Sequence, residues 1–195
     1  FYTGTNACYI GQKWESGILL LEESVKQDTT FAYAYWHLLN AYINNTRSED
    51  AMQTFVPLMQ HRHKLPERMQ FEVKETYYFT SKRDTDMAMK VTKSWMELYP
   101  EDVNAYASMA KQLKSRMQRE EAIEAYQKIL ELDPERYECL ILIAEIYANW
   151  GHIEEALRYA HLYGDKFPNK MSTFYMLGQL YAINGQPGQA RNSYE

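Results

Sequence analysis

Small residues recur along this chain at an almost constant interval. The steps between them are 34, 37, 34, 34 and 34 residues, and three of them are followed twelve residues later by a proline. A small residue lets two helices approach closely, and a proline ends a helix because it has no N–H to donate. Such a period indicates a helical repeat protein. The small residues are Gly17, Ala51, Ala88, Ala122, Ala156 and Ala190, and the prolines are Pro100, Pro134 and Pro168.

This period predicts an all-α chain that forms a single array over residues 1–195. Apolar residues at spacings of three and four follow the same frame, as in amphipathic helices. We therefore expect about six helix-turn-helix repeats that stack on their neighbours. Their boundaries are 1–31 (partial), 32–68, 69–102, 103–136, 137–170 and 171–195 (partial).

The repeat over 69–102 fits the frame least well. Glu72 and Glu75 occupy positions that are mostly apolar in the other repeats. A second register fits its first helix equally well, so both stay open. The alternative apolar face runs through Met69, Val73, Tyr77 and Thr80.

Composition excludes several classes of function. Acidic residues outnumber basic ones by 26 to 21, which disfavours nucleic acid as a partner. The longest apolar run, Cys139 to Ala144, is too short for a bilayer, which takes ~20 residues, so no membrane insertion is expected. No signal peptide is visible, and we expect a cytoplasmic protein. Cys8 and Cys139 fall in different repeats, so both should be free thiols.

No enzyme site can be assembled from the sequence. His61 and His63 lie near Glu67, but no second pair of ligands completes the four that zinc takes, so no metal is expected. The glycines are single and lie at turns, unlike a phosphate-binding loop. We therefore predict no catalytic residues, no cofactor and no enzymatic activity.

The pattern of the last repeats resembles the tetratricopeptide repeat (TPR) family over nearly the whole chain. The family resemblance implies a right-handed α-α superhelix, a TPR solenoid. It also implies a protein–protein interaction module that binds a peptide segment or a partner protein in its concave groove. A looser resemblance, at 65–70, is to arrays attached to bacterial signalling proteins. The residues that carry the main resemblance are Phe174, Leu177, Gly178, Tyr181, Ala190 and Tyr194.

A second stripe on each first helix is the candidate binding surface. It lies roughly 140° from the packing face, given 100° per residue, and in TPR arrays it lines the groove. The partner-binding candidates are Tyr33, Trp36, Asn40, Tyr77, Lys111, Lys114, Glu145 and Tyr175. Further members of the stripe are Tyr2, Asn6, Tyr9, Asn44, Gln70, Val73, Asn104, Glu138, Ile141, Asn149 and Gln179.

The aromatic candidates Tyr33, Trp36 and Tyr77 admit two interpretations. They lie off the packing face, so we expect their loss to change the stability by less than about 1 kcal/mol, as at a surface site. Aromatic residues with a polar end are also enriched at interfaces. The alternative is that they pack against the next repeat.

The charged candidates also admit two interpretations. Lys111 and Lys114 lie one turn apart and would meet an acidic group, or Glu145 would pair with one of them. Some TPR domains clamp the C-terminal carboxylate of chaperones with a set of basic and amide residues. That set is incomplete here, because Tyr2, Gln70 and Asn104 stand at the basic positions.

A different class of function is also compatible with the sequence. The array would then be an architectural spacer, or a self-association arm of a larger multidomain signalling protein, with open ends that stack on more repeats or on another copy. Concentration-dependent self-association without a ligand would favour this alternative.

Overall fold

The computed structural model describes residues 4–5 and 14–194, apart from the side chains of Ser172 and Tyr194. Within these residues there is no strand, and the prediction of an all-α chain is confirmed. Consecutive helices pack as antiparallel pairs, as the repeat frame requires. The helices are α1 Trp14–Gln27, α2 Ala32–Asn44, α3 Ser48–His61, α4 Glu67–Thr76, α5 Thr85–Leu98, α6 Val103–Ser115, α7 Arg119–Leu132, α8 Glu138–Trp150, α9 Ile153–Lys166, α10 Met171–Ile183 and α11 Pro187–Tyr194.

The chain divides into two compact units, Phe1–Tyr99 and Pro100–Glu195, called unit 1 and unit 2 below. In unit 1, α2 packs against both α1 and α3, and α4 packs against α5. In unit 2, the pairs are α6 with α7, α8 with α9 and α10 with α11. Each second helix also packs against the first helix of the next pair, α7 on α8 and α9 on α10.

The small residues that define the period are all buried, as predicted. Ala88, Ala122 and Ala156 expose none of their surface. Gly17, Ala51 and Ala190 are buried at the matching positions of their helices. A side chain of one carbon or none at these points lets the paired helices pack closely.

In the five repeats that begin at 32, 69, 103, 137 and 171, a residue with positive φ lies in the turn between the two helices. It falls fourteen residues after the first residue of the repeat. Glycine adopts this conformation readily, as Gly151 does with a φ of 88°. Non-glycine residues do so less readily, because Cβ approaches the backbone. The five residues are Thr46 (58°), Arg83 (52°), Met117 (60°), Gly151 (88°) and Gly185 (70°).

The repeat over 69–102 buries residues of both registers. Val73 is fully buried, and Met69 and Tyr77 pack against the core of unit 1. After α4 the chain forms a π-helical segment, Tyr77–Lys82, and then turns at Arg83. Glu75 is nonetheless buried, and the Thr76 hydroxyl donates to its carboxylate at 3.3 Å.

The free thiol expected at Cys139 is confirmed, and it is buried in α8, whereas Cys8 lies outside the described residues. Burial raises the pKa of the Cys139 thiol from 9.0 to about 11.

Because the thiolate is the nucleophile, we expect iodoacetamide at pH 8 to alkylate Cys139 about a hundredfold more slowly in the folded protein than in urea. The rates would be compared on a Cys8→Ser background by mass spectrometry. Equal rates would mean that the thiol is accessible.

Candidate functional site

The aromatic candidates of unit 1 belong largely to its core. Trp36 exposes only 8% of its surface and is a member of the buried cluster formed by α1, α2, α3 and α4. The expectation that the core does not need Trp36 is therefore wrong. Its helix is enclosed by α1 on one side and α3 on the other, so that more than one face is buried. For this residue the packing interpretation holds.

Tyr33 and Tyr77 are half-buried and pack against the same cluster. The Tyr77 ring meets Phe55 edge-on at 5.6 Å between ring centroids, and the Lys82 ammonium lies 5.4 Å from its centre. Both tyrosines therefore contribute to packing, and only part of each ring faces solvent.

Asn40 uses its side-chain donor within its own helix. The Nδ2 atom donates to the backbone carbonyl of Trp36 at 2.9 Å, one turn earlier. This bond uses one of the two N–H groups of the amide and stays inside α2.

The part of the predicted stripe that lies on α8 and α10 lines a cleft between these two helices, whereas its members on α6 do not. The cleft has a volume of about 490 Å³, which lies within the range of small-molecule and peptide pockets. Glu145 and Tyr175, both predicted binding residues, stand on opposite walls of it. Three further stripe members also line it, so five residues selected by periodicity share one cavity. These are Ile141, Glu145, Asn149, Tyr175 and Gln179.

The walls of this cleft are mostly apolar. Ala144 and Leu180 are buried at its floor, while Tyr175 exposes 58% and Ile183 67% of their surface. Exposed apolar side chains beside a cavity can bury area against a ligand. Five lining residues were not named as site residues. Ala144, Met176 and Leu180 lie outside the stripe, and only the gap between two repeats brings them into the wall. Ala148 and Ile183 fall at stripe positions, since Ile183 follows Asn149 by one repeat length of 34 residues.

A second cavity of about 360 Å³ adjoins the cleft. It is lined by Lys114, Met117, Arg119, Ile146 and Asn149, and Asn149 also lines the first cavity. Met117 and Arg119 lie in the turn between α6 and α7 and at the start of α7. Neither residue belongs to a first helix, so the periodicity of the first helices does not point to them.

An ion pair joins the two cavities. Lys114 Nζ lies 3.1 Å from Glu145 Oε2, so Glu145 does pair with one of the predicted lysines. Both side chains remain partly exposed, at 39% and 45%. Lys111 is exposed one turn earlier on α6 and does not line either of these cavities.

The comparisons with known proteins agree with this fold. The tetratricopeptide repeat profile matches residues 104–136, which cover α6 and α7. This segment is a tetratricopeptide repeat. No curated protein is significantly similar in sequence to this chain. The repeat frame of the chain and its solved structural relatives extend the tetratricopeptide repeat fold beyond the matched segment.

Solved TPR structures share the fold at low sequence identity. The type IV pilus biogenesis factor PilW has a TM-score of 0.79 and 13% identity, with 98% of this chain and 87% of that chain covered. PilF of Pseudomonas aeruginosa has a TM-score of 0.67 and 14% identity, with 98% and 86% covered. YrrB, described as a TPR protein with an unusual peptide-binding site, has a TM-score of 0.54 and 18% identity, with 88% and 87% covered.

Other chemistry finds no support among these TPR helices. The described residues contain no group of three or more His, Cys, Asp or Glu side chains placed to hold a metal ion. None of the helices in the described part of the chain is long and apolar enough to span a bilayer. TPR proteins are generally scaffolds that bind other proteins rather than enzymes.

Proposed function

We propose that this chain is a protein-interaction module that binds a peptide segment of a partner protein in the cleft between α8 and α10. The observation that carries this proposal is the coincidence of two independent features. The surface selected by repeat periodicity and the larger of the two cavities described above share Ile141, Glu145, Asn149, Tyr175 and Gln179.

The chemistry of the cleft suits a peptide. Apolar walls would bury a side chain of the partner, and Asn149 and Gln179 offer amide donors and acceptors to its backbone. Tyr175 supplies a large ring with a polar end at low entropic cost, as interface tyrosines do. Lys111 is a candidate secondary contact in unit 2, and the exposed parts of Tyr33, Asn40 and Tyr77 are separate candidate contacts of unit 1 by itself.

The test uses defined peptides. A displayed library of random short peptides would be selected on the immobilised chain, and the enriched sequences would be synthesised with a fluorophore. We expect Tyr175→Ser with Ile183→Ser to weaken their binding at least about tenfold, because two apolar contacts worth together more than about 1.4 kcal/mol are lost. Fluorescence anisotropy would measure the Kd.

Met171→Ser is the matched control for this experiment. Met171 lies on the same helix and is 84% exposed, but it does not line the cleft. Its substitution should leave the Kd within about twofold. The proposal is wrong if no peptide is enriched over the bare matrix, or if the double variant binds as the wild type does. Self-association that grows with concentration and is unaffected by peptide would instead favour an architectural role.

A further inference from the structure

The cations at the junction of the two cavities differ in how they are paired. Lys114 already contacts Glu145, and both side chains are partly exposed. Exposed ion pairs of this kind contribute little to stability, because water screens them and two long side chains must be held in place. Lys114 can therefore exchange Glu145 for another carboxylate at small cost.

Arg119 is the second cation. Within the described part of the chain, no carboxylate lies within 4.0 Å of its guanidinium. Its nearest contacts are the Trp150 ring, 5.9 Å from Cζ to the ring centre, and the Met117 sulfur at 4.0 Å from Nη2. Arginine has five N–H donors in a planar fork that matches a carboxylate. These donors remain available for a ligand in the second cavity.

Two cations and no carboxylate are among the five residues that line the second cavity. The carboxylates nearby are Glu145, which pairs with Lys114, and Glu120 and Glu121, which follow Arg119 in the first turn of α7. Met117 and Ile146 form the apolar part of the same cavity. Since Asn149 lines both cavities, a single short segment can occupy the two together.

We propose that the peptide bound by this chain is acidic. One apolar side chain enters the cleft between α8 and α10, and a neighbouring Asp or Glu carboxylate binds Arg119 and Lys114 in the second cavity. This inference rests on the proposed function. It differs from the chaperone carboxylate clamp, because the cations lie at the end of α6 and the start of α7. The clamp positions in this chain hold Tyr2, Gln70 and Asn104.

Paired peptides test the charge. Each enriched peptide would be made with its acidic residue and with the corresponding amide, Asn for Asp or Gln for Glu. We expect the wild type to bind the acidic form about tenfold more tightly, and the preference to shrink as NaCl is raised, because salt screens exposed charges. Arg119→Gln should reduce the preference to within about twofold and leave the Kd of the amide form unchanged.

Arg158→Gln is the matched control. Arg158 also lies over an aromatic ring, 4.9 Å from the centre of Tyr159, but lines neither cavity. Its substitution removes the same charge and should keep the tenfold preference. Glu145→Gln should lower the Kd of the acidic peptide about threefold, since Lys114 then has no competing carboxylate.

The outcomes separate the two proposals. Equal binding of acidic and amide peptides by the wild type, or equal losses in Arg119→Gln and Arg158→Gln, would overturn the acidic assignment. If Tyr175→Ser with Ile183→Ser still weakens binding in that case, the peptide cleft stands without it. If the cleft variants bind normally, the proposed function itself fails.

Discussion

Trp36→Ala is expected to lower the free energy of unfolding by about 3–5 kcal/mol, the usual cost of removing a buried tryptophan. The side chain is 92% buried in the cluster that joins the first four helices. Its removal loses the buried apolar area and leaves a cavity that neighbouring helices cannot fully close. Urea unfolding followed by far-UV circular dichroism would measure the change without depending on tryptophan fluorescence.

Leu19→Ala is the control for this measurement. Leu19 is a large apolar residue of the same unit, but 65% of its surface is exposed. Its loss should change the free energy of unfolding by less than about 0.5 kcal/mol. If Trp36→Ala lowers the free energy of unfolding by less than about 1 kcal/mol, Trp36 is not a core residue, and the surface position predicted from the sequence is correct.

The error at Trp36 has a physical cause. Helical periodicity assigns one buried face, but α2 lies between α1 and α3 and buries residues on most of its circumference. Ala34, Trp36 and Leu38 alternate along the chain, and all three are buried. A helix with two packing partners is apolar on more than one side. Sequence position alone does not reveal how many partners a helix has.

The features that depend on local sequence were predictable. The buried small residues, the turn at Gly151 and the burial of Val73 follow from spacing within one repeat. Each needs only the period of the helix and the conformational range of glycine.

The binding surface was predictable only in part. Ile141, Glu145, Asn149, Tyr175 and Gln179 line the cleft because they share one face of a repeated helix. The second cavity depends instead on how the turn after one helix meets the following repeat. Met117 and Arg119 belong to that turn, and no periodicity within a helix points to them.

The turn between α6 and α7 has a non-glycine residue at a position whose backbone conformation favours glycine. Its left-handed residue is glycine in two repeats, yet Met117 holds the same position with a φ of 60° and 70% of its surface exposed. Glycine would adopt this conformation without steric cost. A methionine there adds apolar surface to the second cavity instead. Thr46 and Arg83 hold the same position in other repeats, so the left-handed conformation belongs to the turn of the repeat and is not specific to the cavity.

Ala122→Leu is expected to destabilise the protein by about 1–3 kcal/mol, the usual cost of overpacking a close-packed interior. Ala122 exposes none of its surface, and α7 packs against both α6 and α8. The added carbons must push one of these helices outward or force a side chain out of its rotamer. Urea unfolding would report the loss of stability.

Ala182→Leu is the matched control, an identical change at an exposed position of α10. Alanine and leucine have similar helix propensities, so its effect should stay within about 0.5 kcal/mol. If Ala122→Leu also unfolds like the wild type, the close helix crossing is not where the 34-residue period places it. If only Ala122→Leu lowers the stability, the close helix contact of unit 2 lies at the small residue of the 34-residue period, because nothing but the position distinguishes the two substitutions.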